Sequence, residues 1–264
     1  MNILDKIVEH KKREVEENKN FHPIKELEQG IYFSRQTVSL KKSLLQQSGI
    51  IAEIKRKSPS KGVINPNVSV ERISVGYIRA GASALSILTD KKFFGGSNED
   101  LSLARDFNLC PILRKDFIID PYQIIEAKSI GADAILLIAA VLHPTQLKEL
   151  SAFAHSLGLE VLMEIHNEEE LLSNLDAGVD LIGVNNRNLK TFELNVETSR
   201  QLSKLIPDTM IKVSESGIES PEVIIDLKRY GFKGFLIGQT FMQNNIPEEA
   251  AMDFINKLRR LEST

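Results

Sequence analysis

Through most of the chain, short apolar runs rich in β-branched residues alternate with longer segments whose apolar positions recur at helical spacing. The runs span 50–56, 84–89, 112–115, 134–138, 160–165, 181–185, 210–214 and 234–237. Helix-like stretches follow them, for example 145–156 after the fourth run and 168–177 after the fifth. Gly81-Ala82, Gly131-Ala132 and Gly178-Val179 precede several runs, and a glycine just past a helix end supplies the left-handed residue that stops the helix. Strands alternating with helices imply parallel pairing through right-handed crossovers. Eight such units in about 215 residues predict an α/β protein with a closed (β/α)8 barrel. A doubly wound open sheet is the alternative. It would be favoured by a G-x-G-x-x-G turn after the first strand, where the chain instead reads Ser58-Pro59-Ser60-Lys61-Gly62.

Residues 1–47 have a different texture. Ile3, Leu4, Ile7 and Val8 sit at helical spacing and lead into a Lys/Glu-rich run ending at Lys19. A second helical or irregular segment runs from 23 to 45. We expect an N-terminal helical extension (1–47) packed on a barrel (48–264), the whole forming one domain, with the charge run as a solvated helix face. Further along, Ser220-Pro221 predicts a helix start with serine as cap and proline at the first helical position.

Composition narrows the function classes. Of 264 residues, 42% are hydrophobic, enough for one sizeable core, and 26% are charged with a net charge of -3. That balance offers no electrostatic case for nucleic acid or an anionic membrane as partner. No stretch is apolar for 18 residues, and 1–20 is charged and amphipathic, so neither a membrane span nor a signal peptide is expected and the expected compartment is the cytoplasm. Cys110 is the single cysteine and reads, between Leu109 and Pro111, as a buried structural thiol. No Cys/His cluster has metal-ligand spacing, so no metal is expected, and His143, His155 and His166 read as surface residues.

The chemistry begins where charge falls on a core face. Barrel interiors are filled by branched apolar side chains, and side chains alternate in and out along a strand. Yet Glu53 and Lys55 share a face with Ile51, Lys115 with Leu113 and Phe117, Glu164 with Leu162, and Glu215 with Val213. The sixth run ends in Asn185, with Arg187 two residues on. One such charge could point outward. Five strands ending this way point to a common mouth at the C-terminal ends of the strands, with pKa values perturbed for acid–base work. Glycines also follow the last two runs, in Glu215-Ser216-Gly217-Ile218 and Ile237-Gly238-Gln239. They let backbone N–H groups approach an anion, which predicts a phosphate site at Ser216, Gly217, Ile237, Gly238 and Gln239.

These residues carry a resemblance. Glu53-Ile54-Lys55-Arg56-Lys57-Ser58-Pro59-Ser60-Lys61-Gly62 resembles the E-x-K-x-x-S-P-S-x-G signature of the indole-3-glycerol-phosphate synthase family. Leu88-Thr89-Asp90 with Phe93-Phe94-Gly95-Gly96-Ser97, Leu113-Arg114-Lys115-Asp116-Phe117-Ile118 and Met163-Glu164-Ile165-His166 are similar to its motifs, in order. So are Gly183-Val184-Asn185-Asn186-Arg187-Asn188-Leu189, Ser214-Glu215-Ser216-Gly217-Ile218 and Leu236-Ile237-Gly238. The resemblance spans 49–242, and the family also carries extra helices before the first strand. Gln239 stands where many relatives have Glu or Ser.

The resemblance implies ring closure, decarboxylation and dehydration of 1-(2-carboxyphenylamino)-1-deoxyribulose 5-phosphate, giving indole-3-glycerol phosphate, with no cofactor. It also implies other tryptophan-pathway enzymes as partners. Carried over residue by residue, it makes Lys115 the general acid and Glu164 the base, the latter paired with Asn185. Lys55 would bind the substrate carboxylate and lower the pKa of Lys115, with the division of the acid role between the two lysines left open, and Glu53 would orient both lysines. Glu215 would hold a sugar hydroxyl, and Arg187 and Ser58 the carboxylate end. Phe94, Phe117, Leu136 and Leu189 would form an apolar slot for the aromatic ring. Two other readings remain open at this stage: another phosphate-binding barrel such as a sugar-phosphate isomerase, and a barrel that binds a sugar phosphate without turning it over.

Overall fold

The computed structural model describes residues 3–189 and 191–263, so the expected termini Met1 and Thr264 lie outside them. All eight apolar runs form strands, and a two-stranded hairpin adds two more. In chain order these are β1 (Ile50–Ile54), the hairpin β2 (Lys57–Ser58) and β3 (Gly62–Val63), β4 (Ala84–Leu88), β5 (Ile112–Lys115) and β6 (Ala134–Ile138). They continue with β7 (Glu160–Ile165), β8 (Leu181–Asn185), β9 (Ile211–Glu215) and β10 (Phe232–Ile237). β1 pairs in parallel with both β4 and β10, which closes the sheet into a barrel and excludes the open-sheet alternative.

Helices α1 (Ile3–Phe21), α2 (Ile24–Leu27) and α3 (Leu40–Gln46) precede the barrel. Outside it lie α4 (Val70–Ala80), α5 (Lys91–Phe94), α6 (Asn98–Phe107), α7 (Pro121–Ser129), α8 (Pro144–Ser156) and α9 (Glu168–Leu172). The last four are α10 (Glu197–Ser203), α11 (Pro221–Arg229), α12 (Gln239–Met242) and α13 (Pro247–Glu262). Among the described residues no helix is long and apolar enough to cross a membrane.

Alternation along the strands divides the core in two. Ile50, Ala52 and Ile54 face outward onto the helices with Ile73 and Tyr77. Ile51, Leu113, Leu162 and Val213 face inward, as the sequence pattern predicts, and Leu40 and Leu44 of α3 join them. Burying each such side chain contributes about 1.5–3 kcal/mol. The Ser43 hydroxyl donates to the carbonyl of Ser83, just before β4, so α3 plugs the N-terminal end of the barrel and leaves the other end for chemistry.

Several expectations need correction. The first run ends two residues early, because the Arg56 carbonyl accepts from Ile64 and Asn65 as the hairpin returns. The helix after the fifth run stops at Leu172, and the chain up to Ala177 continues as turns. Ser220 occupies the cap position, with Pro221 following, but its side chain makes no capping bond. Gly81, Gly131 and Gly178 do take positive φ, at 106°, 96° and 69°.

The largest correction concerns α1. Ile7, Lys11 and Val15 form a buried stripe, and Lys11 has no exposed surface. Its ammonium lies 3.2 Å from Asp90, 2.9 Å from Asp116 and 2.6 Å from Glu14. Spacing of four residues places this lysine on the apolar face, so the run is not solvated throughout.

Candidate active site

The strand ends at the open mouth enclose a cavity of about 490 Å³. Its floor is built by the inward side chains at the last or next-to-last positions of four strands. Lys115 of β5 donates to Glu164 of β7 at 2.7 Å and to Glu215 of β9 at 2.9 Å. Glu53 of β1 accepts from Lys55 at 2.6 Å. Asn185 closes β8 between Glu164 and Glu215 in the strand order, and its side-chain oxygen accepts from the Arg187 N–H at 3.0 Å.

Electrostatics separates the carboxylates. Burial alone would lower the Lys115 ammonium, but Glu164, Glu215 and Glu53 outweigh it and raise its pKa. Glu164 is penalised by burial, yet Lys115 and His166 hold it well below the usual carboxylate range. Glu215 goes the other way. Burial, reinforced by Glu164 and Glu53 and opposed by Lys115, pushes it up to about 7. Its Oε1 is buried without a hydrogen-bond partner.

One wall is apolar. Phe94 and Phe117 face each other with ring centroids 5.9 Å apart and planes tilted by 36°. Leu136 and Leu189 extend this wall, as do Phe192 and Leu194 from the loop after β8. That loop is tied back by Arg187, which donates to the Phe192 carbonyl at 3.1 Å. From above, Ile3, Leu4 and Ile7 of α1 complete the enclosure.

At the far end the chain turns sharply after β9, where Ser216 and Gly217 take consecutive positive φ of 66° and 72°. A non-glycine residue there is held by its surroundings. Ile237, Gly238 and Gln239 face the same end of the cavity, where α12 begins, and Thr240 donates to the Ile218 carbonyl, stitching the two turns together.

The family model for indole-3-glycerol phosphate synthase matches residues 4–254. A relative of that name from Bacteroides thetaiotaomicron is 50% identical over 258 residues, covering 97% of this chain and 99% of its own. Another, from Bacillus cereus, is 49% identical over 245 residues, covering 92% and 94%. The chain belongs to the indole-3-glycerol phosphate synthase family. It is therefore a carbon–carbon lyase of tryptophan biosynthesis, acting on a small phosphorylated substrate, and the isomerase and non-catalytic readings fall away. Solved structures show the fold at greater distance. A thiamine phosphate pyrophosphorylase from Pyrococcus furiosus has a TM-score of 0.61 at 14% identity, covering 84% of this chain and 99% of its own. A structure titled KGPDC from Streptococcus mutans has 0.63 at 14%, covering 82% and 100%.

In this member of the family, all seventeen residues singled out in the sequence line one cavity. Their pairings differ from expectation at three points. Lys55 pairs with Glu53 as expected but does not lower Lys115. Glu53 reaches Lys115 through its field, without a hydrogen bond. Glu164 pairs with Lys115 and His166 while Asn185 turns to its own chain. His143 and His155 are exposed as expected, but His166 is not: its ring is only 10% exposed and lies against Glu164 and Glu170. Cys110 is half-buried, and burial pushes its thiol up to about 12.

Two glycines make room for the glutamates. A Cβ on Gly183 would stand 2.3 Å from Glu215 Oε1, and one on Gly238 would stand 2.3 Å from Glu53 Oε1. In Gly183→Ala the carboxylate must swing off Lys115, although only the far end of a side chain moves. We expect stability to fall by about 1–3 kcal/mol, while kcat/KM of the fully folded protein drops roughly 100-fold, the size of a 1 Å misplacement. Thermal melts beside steady-state kinetics check the split. A loss of stability with kcat/KM of the folded protein unchanged would show that Gly183 is needed for packing alone.

Proposed function

We propose that ring closure takes place in this cavity with Lys115 as general acid and Glu164 as general base. The supporting observation is the Lys115 ammonium held 2.7 and 2.9 Å from two glutamates of opposite pKa tendency, on the floor of an enclosed site. An aromatic ring carbon attacks the ketone, and Lys115 donates a proton to the developing oxyanion. Carbon dioxide then leaves, and its bonding pair restores the benzene ring. Glu164 takes a proton from the CH2 beside the nitrogen and returns it across the 2.7 Å hydrogen bond to Lys115, which delivers it to the hydroxyl as water departs and the new double bond forms. Positioned proton transfers of this kind typically contribute 10²–10⁴-fold each.

The remaining groups hold the substrate. Lys55, oriented by Glu53, binds its carboxylate, with Arg187, Ser58 and Asn185 beside it. Phe94, Phe117, Leu136 and Leu189 clasp the ring, and Glu215 accepts from a sugar hydroxyl. The phosphate rests against the turns at Ser216–Gly217 and Ile237–Gln239, which line that end of the cavity and offer it backbone N–H groups. The compartment is the cytoplasm, where the product passes to other tryptophan-pathway enzymes. Mixing the protein with 1-(2-carboxyphenylamino)-1-deoxyribulose 5-phosphate should produce indole fluorescence together with carbon dioxide. A flat fluorescence trace with folded protein ends the proposal.

The raised pKa of Glu215 sets a pH dependence. A carboxyl that titrates at about 7 when folded, against 4.5 ordinarily, favours its protonated form in the native state. It therefore opposes folding increasingly between those two values as pH rises, while the carboxylate that accepts a hydroxyl appears only above about 7. We expect kcat/KM to climb through that region in the native protein, and the step to vanish in Glu215→Gln. The substrate phosphate titrates nearby in both proteins, so the difference between the two profiles isolates Glu215.

A further inference from the structure

Behind the floor of the cavity stands a histidine that does not line it. His166 follows β7, two residues after Glu164. Its Nε2 lies 3.4 Å from Glu164 Oε1, an ion-pair contact without hydrogen-bond alignment, and among the described residues no other partner reaches that nitrogen. Its Nδ1 lies 3.1 Å from Glu170 Oε2. The same Glu170 oxygen accepts the His166 backbone N–H at 2.8 Å. Glu170 is fixed in turn by Asn167, the cap of α9. The Asn167 amide donates to Glu170 Oε1 at 2.7 Å, and Asn167 Oδ1 accepts the Glu170 N–H at 2.9 Å. A helix cap thus holds a glutamate, the glutamate holds an imidazole edge-on, and the imidazole faces the carboxylate across from Lys115.

Both ring nitrogens face carboxylates. A neutral imidazole has one donor and one acceptor nitrogen, so one of its lone pairs would point at a carboxylate oxygen. Only the imidazolium presents a donor to each side. We propose that His166 is a positioning residue, an imidazolium clamped by Glu170 that fixes the Glu164 carboxylate and keeps it charged until it accepts the substrate proton. This rests on the reading of Glu164 as the base. Glu164 also faces Lys115, and through it Glu215 and Glu53. Lys115 already occupies Oε2, and His166 restrains Oε1, so the carboxylate cannot rotate freely between the two cations. The charge balance agrees. Burial would lower the imidazole, but Glu164 and Glu170 raise it to about 9.

Two measurements test this. Imidazole NMR titration should give a His166 midpoint of about 9, against an ordinary 6.5. In Glu164→Gln the midpoint should drop by about one unit, the usual effect of losing one neighbouring charge. The kinetic arm uses His166→Gln, which keeps a donor and removes the charge. We expect kcat to fall on the order of tenfold, a fraction of what a positioned base contributes. KM should stay within about twofold because His166 does not line the cavity. A purely structural role would leave the His166 midpoint unmoved by Glu164→Gln.

A His166 midpoint at or below the ordinary value, or an unchanged kcat in a folded His166→Gln, overturns the inference. Should His166→Gln not fold, the titration decides alone. Normal turnover by Glu164→Gln removes the base reading itself. An inactive Glu164→Gln whose His166 titration does not move removes only the inference.

Discussion

Replacing Lys115 by methionine is expected to lower kcat by at least about 10³-fold, within the range of a lost positioned acid, while substrate affinity changes less than about threefold. Methionine keeps the unbranched stem on the inward face that Lys115 shares with Leu113, so the barrel interior is little disturbed. What disappears is the ammonium between Glu164 and Glu215. Both glutamates are buried, and without the cation two carboxylates would share one dry floor. Like charges in such a place do not both ionise, so one takes up a proton. If that one is Glu164, the base is lost with the acid. The substitution should therefore be strongly non-additive with Glu164→Gln, the double variant being little worse than either single one. Lys55→Met gives the contrast. Its ammonium serves Glu53 and the substrate carboxylate in the proposed scheme, so KM should rise with a smaller effect on kcat. Single-turnover fluorescence separates these cases from product release. A Lys115→Met protein keeping more than about a tenth of native kcat would remove the acid assignment, and Lys55 would become the candidate.

The raised pKa of Lys115 changes how such an acid must work. A general acid is most effective with a pKa near working pH, and the sequence suggested that Lys55 would supply the downward push. Lys55 is occupied by Glu53, and three glutamates hold Lys115 as an ammonium. Glu215 offers the release. At about 7 it is protonated in part of the population, and each protonation removes one counter-charge from Lys115. In the proposed scheme the carboxylate with the raised pKa thereby tunes the lysine in opposition to its own role as hydroxyl acceptor, a coupling invisible to any argument from lysine spacing.

Much of this was legible beforehand, for a definite reason. Period-two alternation states which side chains face inward, and in a closed parallel barrel all strand ends face one mouth. Glu53, Lys115, Glu164 and Glu215 could therefore be assigned to one cavity from their offsets to Ile51, Leu113, Leu162 and Val213. Alternation says nothing of the angle around the barrel. Whether Lys115 meets Glu53 or Glu164 depends on strand separation and rotamer, and there the expected pairings failed. The hairpin β2–β3 was missed because Lys57 and Ser58 carry no apolar alternation. His166 had a usable clue that went unread. It stands two residues beyond Glu164 and so falls on the same side of the strand. The role of α1 over the cavity was hidden differently: Ile3, Leu4 and Ile7 announce a buried face, but periodicity does not name what covers it.

Lys11 shows what that hidden face does, and Lys11→Met should be the most destabilising single change outside the strands. A surface lysine replaced this way typically changes stability by no more than about 0.5 kcal/mol. Lys11 instead neutralises two fully buried aspartates, and breaking such a cluster by removing one partner costs about 3–5 kcal/mol. In a chain of this size that lowers the melting temperature by roughly 10 °C. Part of the same energy is visible in pH. Burial would raise Asp116, but Lys11 and Arg114 hold it down to about 2 against an ordinary 3.8, so its contribution is present above the ordinary value and lost as pH falls toward the lower one. The consequence reaches the site because each aspartate also braces a wall of the aromatic slot. Asp90 accepts the Phe94 N–H at 3.2 Å, and Asp116 accepts the Phe117 N–H at 2.8 Å. With the ammonium gone, α1 loses its ionic attachment to both turns, and Ile3, Leu4 and Ile7 seal the cavity less tightly. KM should therefore rise several-fold at temperatures where the variant is still folded, with kcat affected less because Lys115 and Glu164 stay on the strands. A melting temperature within two or three degrees of native would mean that water reaches the two aspartates when α1 is loosened, and the ion cluster would then lose its place as the fastening between the extension and the barrel.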